Sequence, residues 1–88
     1  MLTNVPQCLL TYSCSNPIYG TTCCVTDKNR TSGGSSGGEG ALIGSGGSII
    51  GIGSDVGGSI RYPCHFNGIT GIKVGKLTRF VCDFYRIY

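Results

Sequence analysis

The chain reads as α/β, and three observations carry that reading. Around two glycine-rich turns the pattern runs helix, strand, turn, helix, turn, strand, which is the alternation of an α/β core. Glycine supplies 16 of the 88 residues and is concentrated in Gly33–Arg61, GGSSGGEGALIGSGGSIIGIGSDVGGSIR, with a spacing too structured for a flexible linker. A chain of 88 residues without tryptophan makes at most one small domain, and such a globule buries only about two-thirds of its unfolded surface. The chain is therefore expected to be a piece of something larger.

In chain order, Met1–Leu10 predicts a short strand end and then a turn at Pro6. Cys8–Tyr12 begins a brief helix or lines a pocket, with Leu9, Leu10 and Tyr12 as an apolar wall. Cys14–Thr22 reads as loop, since Asn16-Pro17 starts a turn and Gly20 permits another. Asp27–Ser32 is polar and expected to be exposed. Gly37–Ser48 is a small-residue helix whose glycines each cost up to about 1 kcal/mol, so it requires tight packing. Ile49–Gly53 is read as a buried strand from its β-branched content, and Ser54–Gly58 as a tight turn. Ser59–Phe66 predicts one helical turn broken near Pro63. Asn67-Gly68 then turns the chain into a second strand over Ile69–Val74.

Composition narrows the function classes. The net charge of +3 owes much to Lys73, Lys76, Arg79 and Arg86 near the end, which read as a solvated terminus. A nucleic-acid surface shows a denser stripe or interleaved aromatics, so that partner is not expected. Cys8, Cys14, Cys23, Cys24, Cys64 and Cys82 lack paired spacing and follow no signal peptide. Reduced, mostly buried thiols in an intracellular protein are expected. No apolar run reaches the roughly 18 residues of a membrane span. Asn29-Arg30-Thr31 matches a glycosylation sequon, a pattern common by chance.

The glycine turns fail as phosphate loops on their residues. A Walker loop needs Lys where Glu39 stands, and Gly51-Ile52-Gly53-Ser54-Asp55-Val56 misses the last glycine of a dinucleotide fingerprint. Acyl transfer fits better. In Asp55-Val56-Gly57-Gly58-Ser59 successive N–H groups converge beside a serine, with no bulky side chain at Gly57 or Gly58 to block an attacked carbonyl. From spacing alone the commoner reading is a glycine turn with an incidental serine. Asp55 also reads as a helix cap, and Arg61 as an ordinary ion-pair partner. Cys64 beside His65 makes neither a nucleophilic pair nor a zinc site, since neighbours at i and i+1 do not face each other on a helix.

Gly33-Gly34-Ser35-Ser36-Gly37-Gly38-Glu39-Gly40-Ala41 and Gly53-Ser54-Asp55-Val56-Gly57-Gly58-Ser59-Ile60-Arg61-Tyr62-Pro63 together resemble the amidase signature family over about Thr3–Lys73. Thr3-Asn4-Val5-Pro6-Gln7, Cys14-Ser15-Asn16-Pro17 and Glu39 look most like its fatty-acid amide hydrolase branch. The resemblance implies a mixed sheet flanked by helices, incomplete in this chain, and a Ser-Ser-Lys machine needing no metal or cofactor. Ser59 would be the nucleophile, and Ser35, in a cis peptide, would relay its proton to a neutral lysine. Val56, Gly57, Gly58 and Ser59 would supply oxyanion amides. Ser36, Asp55 and Arg61 would hold the loops, and Leu9, Leu10 and Tyr12 would stand near the acyl-binding wall. The implied partner is a small, lipid-like amide; membrane association would rest on segments not present here.

The chain departs from the family pattern in its lysine. Only 34 residues precede Ser35, and Lys28 is the sole lysine among them, in a polar loop where it is expected to stay protonated. Without a base, hydrolysis is expected to fall to what the oxyanion turn sustains, about 10³ to 10⁴ over water. Ser32 replaces the usual proline, and after Lys73 the pattern is lost. The expected organisation is a partial amidase domain over 1–74 and a divergent tail over 75–88. The rival to an amide hydrolase is a non-catalytic fragment or small interaction protein that keeps the turns without turnover.

Overall fold

The computed structural model describes residues 3–74 and the backbone of residues 82–85. The strand end expected from Met1 does not form over 3–6; that segment runs to a 3-10 turn at Gln7–Leu9, closed by Leu9 N–H donating to Pro6 O at 3.2 Å. The 75–88 tail lies outside the described residues except for the strand at 82–85.

The stretch expected as loop holds a tight hairpin. Strands β1 (Ser15–Asn16) and β2 (Gly20–Thr21) pair antiparallel with Ser15 opposite Thr21. Asn16 Oδ1 accepts the N–H groups of Ile18 and Tyr19 at 3.0 and 2.8 Å, so a side chain builds the turn that Asn16-Pro17 announces. Gly20 takes φ +72 at the turn's end.

Helix α1 covers Gly37–Gly44, shorter than the Gly37–Ser48 expected. It ends because Ser45, Gly46 and Gly47 fold their N–H groups back onto the carbonyls of Ala41, Ile43 and Leu42, with Gly46 at φ +82. Its glycines are contact positions, as their cost requires. A Cβ at Gly37 would stand 2.6 Å from Ser32 Oγ, one at Gly38 2.9 Å from Asn4 Cα, and one at Gly40 2.8 Å from Pro63 Cβ. Helix α2 covers Arg61–Asn67, and Pro63 does not break it. Pro63 occupies the first turn, where an N–H has no intrahelical partner, so the missing donor costs nothing. Gly68 closes the helix in the left-handed region at φ +66, with its N–H on Cys64 O.

Strand β3 (Ile50–Gly53) and strand β4 (Thr70–Gly71) both pair antiparallel with β5 (Cys82–Tyr85), which lies between them. The second strand is thus two residues long where six were expected. The expectation of a buried β3 is also corrected: Ile50 and Ile52 are exposed, and only Gly51 is buried. Glu39 of α1 lies over Gly51, while Ile50 and Ile52 stay 53% and 69% exposed. The core is small. Ile43 of α1, Ile60 and Cys64 pack together with Ile69 against them, which joins both helices beneath the turns.

Candidate active site

Two backbone turns meet at one place. The first, Gly33–Ser36, contains a cis Gly34–Ser35 peptide, and Gly33 enters it at φ +80. A Cβ at Gly33 would stand 3.0 Å from Pro63 N, and one at Gly34 would stand 2.7 Å from Thr11 O. Glycine is required at Gly34 because backbone, which cannot rotate aside, fills the space. Ser35 is 4% exposed, and Ser36 is buried beside it.

Ser36 stands at the N-cap of α1 but does not cap it. Its hydroxyl instead accepts Ser54 N–H at 3.2 Å and reaches Ser54 O at 3.4 Å, while its own N–H donates to Ser59 O at 3.2 Å. One residue therefore ties the Ser35 turn to both ends of the second turn, Ser54–Ser59. The resemblance gives Ser36 a loop-holding role; its partners were not readable from the sequence.

Asp55 organises the second turn from inside. Its side chain is fully buried. Oδ1 accepts Gly58 N–H at 2.7 Å and Arg61 Nη2 at 2.9 Å; Oδ2 accepts Ile60 N–H at 3.1 Å, Arg61 N–H at 3.2 Å and Arg61 Nε at 3.0 Å. The cap and ion-pair readings of Asp55 and Arg61 are thus one arrangement. Burial works to raise the Asp55 pKa, but the Arg61 guanidinium and the three N–H groups outweigh it and hold the carboxyl well below the usual carboxylate range. In return Asp55 raises the Arg61 pKa.

This turn differs from the expectation that four amides face a ligand. Gly58 N–H is engaged by Asp55, because Gly58 sits at φ +123 with the Tyr62 ring where its Cβ would be. Among the described residues, no hydrogen bond engages the N–H groups of Val56, Gly57 or Ser59. Val56 and Gly57 are exposed and Ser59 is half-buried.

Leu9, Leu10 and Tyr12 are exposed, and Tyr12 packs its ring against Tyr62 at 4.6 Å between centroids. A groove of about 860 Å³ between Thr3–Gln7 and the β1–β2 hairpin is lined by none of these three nor by Ser35 or Ser59. Lys28 and Lys73 are both exposed. Cys8, Cys14, Cys23, Cys24 and Cys64 are free thiols, and Cys14, Cys24 and Cys64 are buried. Burial, then the Asp55 charge, pushes the Cys64 thiol up to about 11, while His65 beside it is exposed. Among the described residues, no group of three or more His, Cys, Asp or Glu is placed to hold a metal, and no helix is long and apolar enough to cross a membrane.

A buried serine turn is thus tied to a second glycine-serine turn over a shared small core. The Amidase family model matches residues 2–79, and the chain belongs to that family. Within it, the chain is 69% identical over 75 residues to Fatty acid amide hydrolase 1 of Caenorhabditis elegans, covering 85% of this chain and 13% of that protein. It is 58% identical over 71 residues to Fatty-acid amide hydrolase 1 of Sus scrofa, covering 81% and 12%. A solved structure of a fatty acid amide hydrolase superposes with TM-score 0.82 at 35% identity over 94% of this chain and 18% of that one. The chain thus spans about an eighth of the length of these two curated relatives. The resemblance read from the glycine turns holds, and the α/β fold is a fragment of that larger core.

Proposed function

We propose that this segment is the serine-bearing part of an amide hydrolase site, with Ser59 as nucleophile and Ser35 as proton relay. The observation that carries the proposal is the bridge made by Ser36, which sets the backbone next to Ser35 against the backbone of Ser59. The unengaged amides of Val56, Gly57 and Ser59 suit the developing oxyanion, each such donor being worth about 3 to 4 kcal/mol in a transition state. Gly58 then serves the turn through Asp55 and not the oxyanion.

In this mechanism Ser59 Oγ attacks the amide carbonyl carbon and its proton passes to Ser35 Oγ. Ser35 in turn passes its own proton to a neutral lysine. The C–N bond breaks, the amine leaves with a proton returned along the same path, and water releases the acid from acyl-Ser59. The base comes from the part of the whole protein that this chain does not span, since Lys28 and Lys73, the lysines among the described residues, are both exposed. The substrate class is fatty-acid amides, supported by the names of the relatives.

Treatment of the folded 88-residue chain with a fluorophosphonate tests the proposal. Covalent mass at Ser59, absent in Ser59→Ala, is expected. Folded protein without that mass means the chain keeps the turns without their chemistry.

A further inference from the structure

Asn67 is the last residue of α2, 5% exposed, and its amide is fully engaged. Nδ2 donates to Pro63 O at 2.8 Å, one turn back in its own helix, and to Ser32 O at 2.9 Å. Oδ1 accepts Val25 N–H at 3.3 Å. Two donors and one acceptor are thus satisfied in three directions, which only a carboxamide of this length can do. Leucine offers neither group, and aspartate offers no donor. The facing helix leaves room for it: a Cβ at Gly40 would stand 3.2 Å from Nδ2, and one at Gly44 3.1 Å from Asn67 Cβ.

The placement of Ser32 gives this staple its reach. Ser32 O lies three residues before Ser35, and Ser36 N–H, one residue after Ser35, donates to Ser59 O. Ser35 is therefore bracketed by two ties to the same unit, which runs from Ser59 through α2 to Asn67. One tie alone is a pivot about which the two turns rotate; the second, 35 residues away in sequence, removes that freedom.

We infer that Asn67 is a positioning residue for the Ser35–Ser59 pair, fixing the register of α2 against the backbone that leads into the first turn. The inference rests on the amide hydrolase reading above. It assigns Asn67 no contact with substrate; its effect runs through the placement of Ser35. A displacement of about 1 Å at a reacting pair costs on the order of 10²-fold in rate.

The test is fluorophosphonate inactivation of the full chain, resolved into the reversible constant KI and the covalent rate kinact. In that step a Ser59 Oγ–P bond forms, the P–F bond breaks with loss of fluoride, and the serine proton passes through the Ser35 hydroxyl to solvent. Asn67→Asp, which keeps the shape and the acceptor but loses both donors, is expected to lower kinact by about 10- to 100-fold and leave KI within about twofold. A merely structural role would lower the folded fraction and leave kinact of the folded protein unchanged, and that result overturns the inference. If Asn67→Asp does not melt cooperatively above the assay temperature, Asn67→Ser, a smaller side chain with one donor, is read on the same two constants and by the same criteria. Wild-type protein that takes no label overturns the amide hydrolase reading and this inference with it. Labelled wild type with an unaffected variant overturns the inference alone.

Discussion

Replacing Asp55 by alanine removes the acceptor of five hydrogen bonds, and the structure says which of them matter. Gly58 and Ile60 are buried, so their N–H groups lose their partner where water does not reach. Each buried donor left unpaired costs about 1 to 3 kcal/mol, which gives about 2 to 6 kcal/mol for the pair. Arg61 is different, because its side chain is 59% exposed and finds water once released. The carboxylate therefore matters mainly as a backbone organiser, and Arg61→Gln is expected to shift the melt much less than Asp55→Ala. An 88-residue domain holds about 4 to 13 kcal/mol in all, so Asp55→Ala removes a large part of it. Urea titration followed by circular dichroism at pH 7 measures both variants. A second reading comes from pH. The folded pKa of Asp55 lies below its unfolded value, so its contribution is full above about pH 4 and is lost as pH falls towards the folded value. Wild-type stability should decline below pH 4 from this group, and Asp55→Ala should lack that component. Equal losses for Arg61→Gln and Asp55→Ala would refute the reasoning, because the ion pair and not the buried N–H groups would then hold the turn.

Two further measurements probe the packing and the thiols. Gly38→Ala would drive a methyl into the backbone of Asn4 and is expected to cost about 1 to 3 kcal/mol or more, whereas Gly57→Ala, with nothing within 4 Å, should stay within about 0.5 kcal/mol; paired urea titrations decide, and equal effects would contradict the contact. Iodoacetamide at pH 8, mapped by peptide mass, should modify exposed Cys8 first and half-buried Cys23 more slowly. Cys64, buried and pushed up to about 11, should react only after unfolding. Early modification of Cys64 would mean that the small core is open.

Much of the turn chemistry was legible because it depends on single residues. A positive φ at Gly33, Gly58 and Gly68 follows from the absence of a Cβ, and Asn16-Pro17 announces a turn that Asn16 then builds from its own side chain. The serine motif was long enough to carry the family, and the start of α1 at Gly37 follows from where the glycine turn ends. Pro63 was misread because its cost depends on how far it stands from the helix start, which residue preference alone does not give. Ile50 and Ile52 were misread because β-branched side chains fit a strand on either face, and burial depends on what covers that face.

The sequence by itself determined the family, the two serine-bearing turns and the tight packing that a glycine-rich helix demands. The tertiary structure alone decided that Ser36 bridges the turns, that Gly58 N–H belongs to Asp55, and that Asn67 reaches Ser32. The physical reason is range. Backbone conformation is set by sterics within a residue or two, whereas a hydrogen-bond partner 18 or 35 positions away exists only once the chain has brought both groups to one place.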